Sequence, residues 1–297
     1  MGWTPRHTEM IWPSSGGLLP DSLELGPTHL TVADLERSVD FYEEVIGLRT
    51  QSRDEISATL GTAAGPVLVL VSEPGAARPG ARQAGLYHVA LLYPSRLELA
   101  RAGQRLTATR TPTQGASDHL THEAFYLPDP DGNGLELAAD RPRDQWPERD
   151  HIYASGPQPL DMGDLMSLVE GQPPAARAQD GVRTGHLNLH VGDIDEGLAF
   201  YRDVIGFDEM ANLGTAAFVS AGGYHHHLGF NTWRGKGVAA VPDGVLGLRH
   251  WTVLLEPRQI DAVRRRAQAA GVEVETREHG GFMVHDPWRN ALVLAAR

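Results

Sequence analysis

The feature that most constrains this chain is an internal repeat. Asp34-Leu-Glu-Arg-Ser-Val-Asp-Phe-Tyr-Glu-Glu-Val-Ile-Gly-Leu48 returns 159 residues later as Asp193-Ile-Asp-Glu-Gly-Leu-Ala-Phe-Tyr-Arg-Asp-Val-Ile-Gly-Phe207. Each copy follows a short alternating segment (His29 to Val32; His186 to Val191), opens on an aspartate suited to cap a helix, and closes on a glycine suited to the left-handed position past a helix end. The pattern predicts a strand, then a helix.

Weaker half-repeats lie between and after these copies. Tyr87-His-Val-Ala-Leu-Leu92 and Arg249-His-Trp-Thr-Val-Leu254 each precede a helical run, Leu97 to Leu106 and Gln259 to Ala270. Both end in matching hairpins, Asp129-Pro-Asp-Gly-Asn-Gly-Leu-Glu-Leu137 and Asp286-Pro-Trp-Arg-Asn-Ala-Leu-Val-Leu294. Four βαβββ units result, at about 28–73, 84–140, 184–232 and 247–297. Taken in sequence order they group into two domains, 28–140 and 184–297, the number expected for 297 residues. Residues 1–27 read as an arm without its own core, and 141–183 as a linker with room for a helix.

Composition removes several function classes. A formal net charge of −12 with no basic run excludes nucleic acid as a partner, because phosphate binding depends on Lys and Arg. With no cysteine there are no disulfides, thiolate metal sites, iron–sulfur clusters or cysteine nucleophiles, so any metal must sit on His, Asp or Glu. Met1 to Leu19 lacks the apolar stretch of a secretory signal and no later segment approaches a membrane span, so the expected location is cytoplasmic.

Histidine begins the first strand of all four units, at His29, His88, His186 and His250. A lone strand histidine is usually structural, but recurrence at one position points to ligation by neutral imidazole. The last strand of unit two carries Glu136 between Leu135 and Leu137, where unit four has Val293. Two histidines and one carboxylate bind a divalent cation and leave positions open, the facial arrangement of non-heme Fe(II) oxygenases. A second cluster, Tyr224-His-His-His-Leu-Gly-Phe-Asn231, is expected on the last strand of unit three, where alternation puts His225 and His227 on one face and His226 on the other.

These residues resemble the vicinal oxygen chelate superfamily, which includes glyoxalase I, extradiol dioxygenases and antibiotic-resistance proteins, over about residues 28–297. The likeness is closest to bacterial two-domain catechol 2,3-dioxygenase-like members. Its most specific part is His119-x5-Phe125-Tyr126-x2-Asp129-Pro130-x-Gly132-x3-Glu136, similar to the extradiol ring-cleavage signature but with Ser117 where that signature prefers Gly, Asn, Thr or a branched apolar residue. The resemblance implies an α+β fold of paired modules forming two curved mixed-sheet half-barrels. It implies Glu136 and His88 as iron ligands, Tyr126 and His119 as substrate contacts, and His226 as acid/base, because His225-His-His-Leu-Gly-Phe230 resembles the family's His-His-x-Leu-Ala-Phe segment. That last assignment requires units two and three to share a site, with His186 as the third ligand; pairing of units one and two would substitute His29. The other pair, with Val293 in place of a carboxylate, is expected to hold no catalytic metal.

The implied activity is Fe(II)-dependent extradiol cleavage of a small aromatic diol by O2, with Mn(II), Zn(II) or Ni(II) as alternative metals. A glyoxalase-like isomerase or lyase and a non-catalytic ligand-binding protein of the resistance type are the competing implications. Homo-oligomerisation is left open.

Overall fold

A computed structural model describes residues 18–297. The remainder of the predicted arm, 1–17, lies outside the described residues. Both repeat copies form as expected at their starts. The Asp34 carboxylate accepts from the Arg37 amide and opens the helix Leu35–Phe41, and Asp193 accepts from the amides of Asp195 and Glu196 ahead of Ile194–Leu198. Each helix then widens into a π-helical turn, Tyr42–Ile46 and Ala199–Ile205, ending at Gly47 (φ 90°) and Gly206 (φ 106°). At Gly47 a Cβ would also approach the Ala178 amide to 2.7 Å, so both conformation and space demand glycine there.

Each of the four units is a βαβββ module, and the described residues build two mixed sheets of nine strands. One sheet joins units two and three. From one edge its strands are Gln158–Pro159, Gly115–Asp118, His122–Pro128, Gly134–Asp140, Gly85–Leu92, Arg183–His190, Leu228–Asn231, Ala216–Ser220 and Asp208–Asn212. The other joins units four and one through Gly247–Leu255 and Thr28–Val32, with Glu24–Leu25 of the arm added alongside Gly247–Leu255. Each sheet therefore draws one unit from each of the segments 28–140 and 184–297.

Different contacts tie the consecutive units. The Tyr42 hydroxyl of unit one donates to Asp129 Oδ2 of unit two at 3.0 Å, and Tyr201 of unit three donates to Asp286 Oδ2 of unit four at 2.9 Å. Arg105, on the unit-two helix Arg96–Ala108, donates to the Ile46 carbonyl, and Arg266, on the unit-four helix Pro257–Ala269, donates to the Val204 carbonyl, so carbonyls near both π-turn ends are satisfied by the next unit. Sheet pairing thus runs two with three and one with four, while helix and turn contacts run one with two and three with four.

Strand alternation sorts the core from the site. In the unit-two strands Val89, Leu91, Phe125, Leu127, Leu135 and Leu137 enter the main apolar core. The opposite face carries small residues, with Ala124 and Ala138 clustering against Leu92 and Tyr126, and it is this face that can hold a cavity. Among the described residues no helix is long and apolar enough to cross a membrane.

Candidate metal centre

Register brings the candidate ligands together. Ala90, in the strand Gly85–Leu92, lies opposite Glu136 on one side and His186 on the other. Its methyl is too short to separate them, so the two longer side chains meet above it. His88, two residues earlier, projects from the same face. The outcome is that His88 Nε2 and His186 Nε2 each stand 3.1 Å from the same carboxylate oxygen, Glu136 Oε2.

All three side chains are buried, Glu136 to 1 % exposure. His88 Nε2 has no hydrogen-bond partner despite its closeness to Oε2. A buried, unpartnered ring nitrogen aimed at an anion is costly unless something lies between them, and a cation satisfies both. The donor set therefore fits a divalent metal of intermediate softness. Burial alone would raise the pKa of Glu136, but the charge of His186 and hydrogen bonds from His122 and His186 hold it well below the usual carboxylate range. An ionised carboxylate is what ligation requires.

The centre lies in a cavity of about 500 Å³. The three other residues assigned from the signature and the histidine segment face it too. His119 Nε2 is 2.6 Å from the Tyr126 hydroxyl, and Tyr126 pairs across the hairpin with Glu136. The His226 ring centroid is 4.2 Å from that of His186, and its Nδ1 is 3.0 Å from His225 Nδ1. Burial lowers His119 to about 3 and pushes His226 well below the ordinary histidine range, so both are neutral near pH 7.

His29 is not brought to this cavity. It pairs with His250 in the other sheet, the two rings stacked at 3.9 Å, and among the described residues neither belongs to a group of three potential ligands. Val293 occupies the corresponding strand there, opposite Thr252.

One local expectation is corrected. The alternation assigned to His225, His226 and His227 does not apply, because the strand begins only at Leu228. Gly222 and Gly223, both at φ 60°, turn the backbone just before the histidines. His225 and His226 both reach the cavity, while His227 Nδ1 pairs with the Ser220 hydroxyl at 2.9 Å.

Two features escaped the sequence reading. His122 places Nε2 3.0 Å from Glu136 Oε1. Counting back by twos from Tyr126 would have put it on the site face. The segment 141–183 is also more than a spacer. It contains helices Arg149–Ser155 and Met162–Ser167, its strand Gln158–Pro159 pairs with Gly115–Asp118, and Ile152, Tyr153 and Pro157 roof the cavity. The Tyr153 hydroxyl donates to the His225 carbonyl at 2.5 Å and pins that roof.

Comparison with known proteins accords with this architecture. Residues 24–137 and 183–294 match the model of the Glyoxalase/Bleomycin resistance protein/Dioxygenase superfamily. A relative from Bacillus subtilis (strain 168), named catechol-2,3-dioxygenase, is 38% identical over 279 residues, covering 92% of this chain and 97% of its own. Glyoxalase I from Zea mays superposes with a TM-score of 0.55 at 15% identity, covering 92% of both chains. The cppA protein from Streptococcus pneumoniae TIGR4 superposes with a TM-score of 0.58 at 14% identity, covering 92% of this chain and 100% of its own. At such identities the two structures show a shared fold and nothing about chemistry. The repeated modules, their pairing and the family match together place this chain in the Glyoxalase/Bleomycin resistance protein/Dioxygenase superfamily.

Proposed function

We propose that this protein is an extradiol dioxygenase that cleaves a catecholic substrate with O2, using Fe(II) held by His88, Glu136 and His186. The observation that carries the reading is the convergence of two imidazole nitrogens on Glu136 Oε2, one of them unpartnered, at the wall of a cavity. The similarity to a relative named catechol-2,3-dioxygenase supports it. Mn(II), Zn(II) and Ni(II) suit the same donors, but two imidazoles and one carboxylate with open positions favour Fe(II). Bound Fe(II) would supply Lewis-acid charge and access to O2 reduction.

The protein's own groups then have distinct tasks. The His226 Nδ1 faces His225, which leaves Nε2 to accept a proton from the diol. His119 and Tyr126, already 2.6 Å apart, can hold a substrate oxygen between imidazole and phenol. Phe218 and the roof residues Ile152 and Tyr153 limit water around the reacting atoms.

A decisive trial loads the purified protein anaerobically with Fe(II) and follows O2 consumption and the yellow ring-opened product with a panel of catechols. Stoichiometric uptake of O2 is expected. Intact metal binding with no O2 uptake across the panel would reject the dioxygenase reading in favour of a glyoxalase-like isomerase, which needs no O2.

The cavity rim suggests which catechols to include. While the ligands are buried, Tyr87, Leu213 and Trp233 at the rim are 40%, 52% and 55% exposed. An apolar ring substituent would cover them. Trp233→Ala should raise KM for such substrates by roughly tenfold, about 1.4 kcal/mol, while leaving kcat and the KM for unsubstituted catechol near their original values. Equal losses on both substrates would argue against contact with the substituent.

A further inference from the structure

We propose that His122 is a positioning residue that restricts Glu136 to ligation through one oxygen, an inference that rests on the metal site proposed above. The two carboxylate oxygens face different partners. Oε2 points at His88 and His186, whereas Oε1 is 3.0 Å from His122 Nε2. A ligating carboxylate is ionised and has no proton to give, so His122 must be the donor and carry its hydrogen on Nε2. In the neutral tautomer Nδ1 is then an acceptor. The hydroxyl of Thr121 meets it at 2.9 Å and must donate. Thr121 thus fixes the tautomer, and the tautomer fixes Glu136.

The ring cannot swing away from this task. His122 is 2 % exposed and stacked between His119, at 4.5 Å and 11°, and His225, at 4.6 Å and 19°. The side chain also begins on the correct face, since His122 pairs with Asp140 and Tyr126 with Glu136 in the same hairpin. His122, Asp140 and His225 lie near enough to one another to suggest a second cation site. Their polar atoms are already spoken for, however: Asp140 accepts from the Tyr224 hydroxyl at 3.0 Å and pairs with His225 Nε2 at 3.2 Å, and His122 Nε2 is committed to Glu136. Among the buried polar atoms of His88, Glu136, His122, Asp140 and His225, His88 Nε2 is left without a hydrogen bond, which points to one cation with a hydrogen-bonded shell around it.

The consequence is chemical. A carboxylate free to use both oxygens would occupy an extra coordination position. With Oε1 held by His122, three protein donors leave room for both oxygens of a vicinal diol and for O2. His122 would thereby set how many positions the substrate and O2 find open.

The experiment titrates the metal-free full-length protein with Co(II), reading affinity by calorimetry and coordination by visible absorption, with melting temperature as a check on folding. His122→Ala should weaken binding roughly 10–100-fold, the range for losing the partner of a ligand, and shift the visible bands. His122→Gln, which can donate from its amide, should recover much of both. Thr121→Val keeps the ring and its stacking yet loses the donor to Nδ1, so it should shift affinity in the same direction and carries the trial if His122→Ala does not fold. Wild-type affinity and spectrum in Thr121→Val, or in a folded His122→Ala, would overturn the proposal while leaving the metal site standing. A wild-type protein that takes up no Co(II) would overturn both.

Discussion

Glu136→Ala is expected to abolish stoichiometric metal binding and to lower the proposed ring-cleaving activity by about a thousandfold or more, whereas Val293→Ala should change neither. Glu136 is the sole carboxylate within the group it forms with His88 and His186. Its removal leaves imidazoles facing one another in a buried space, with no negative charge to offset a divalent cation. Val293 holds the same place in the other sheet but stands beside Thr252, and the histidines of the neighbouring first strands, His29 and His250, stack on each other. Metal analysis after gel filtration, paired with O2 uptake, reads the contrast directly. Equal metal content in the two variants would remove the basis for the site. Glu136→Gln separates shape from charge, and should resemble Glu136→Ala if the cation's charge is what the carboxylate answers.

The four modules were legible because their signals are local. An N-capping aspartate, an apolar helix face and a left-handed glycine recur within fifteen residues at each repeat copy, and the caps form as read. Which modules share a sheet is not a local property. Period-two alternation shows that Val89 and His88 face opposite ways, but not that His88 lies across from Asn188 of unit three. The histidine segment of unit three was the one sequence clue to that partnership, and the two sheets are arranged in the way it demands.

Elsewhere the pattern was present but unused, or absent. His122 lies on the same alternation as Tyr126, yet it falls at one of the five unspecified positions between His119 and Phe125 in the family-like signature that drew the other site residues together. The roof could not be read this way. Arg149–Ser155 and Met162–Ser167 span seven and six residues, too short for a helical period to emerge, and Tyr153 acts through one hydroxyl contact with a backbone carbonyl. The three consecutive histidines misled because alternation presupposes extended backbone, which Gly222 and Gly223 interrupt.

The aspartates of the two hairpins should prove as important to stability as Glu136 is to metal binding. Asp129 accepts from the amides of Asp131 and Asn133, the Asn133 side chain and the Tyr42 hydroxyl; Asp286 repeats this with Trp288, Asn290 and Tyr201. Alanine at either site strands several buried donors at once and cuts the tie between consecutive units. The expected cost is about 3–5 kcal/mol in urea unfolding, against about 1–2 kcal/mol for Tyr42→Phe or Tyr201→Phe, which remove a single bond. Burial raises Asp286 to about 6, and a carboxyl whose folded pKa exceeds its unfolded value contributes stability that is present below the unfolded value and lost as pH rises through 6. The penalty of Asp286→Ala should therefore be larger at pH 5 than at pH 7. The two aspartates feed different strands. Asp129 leads into Gly134–Asp140, which carries Glu136, whereas Asp286 leads into Ala291–Ala296, which carries no proposed ligand. Both variants should lose comparable stability, but only Asp129→Ala should also weaken Co(II) binding. Loss of metal affinity in both, or in neither, would mean that the hairpin turn does not set the position of the Glu136 strand.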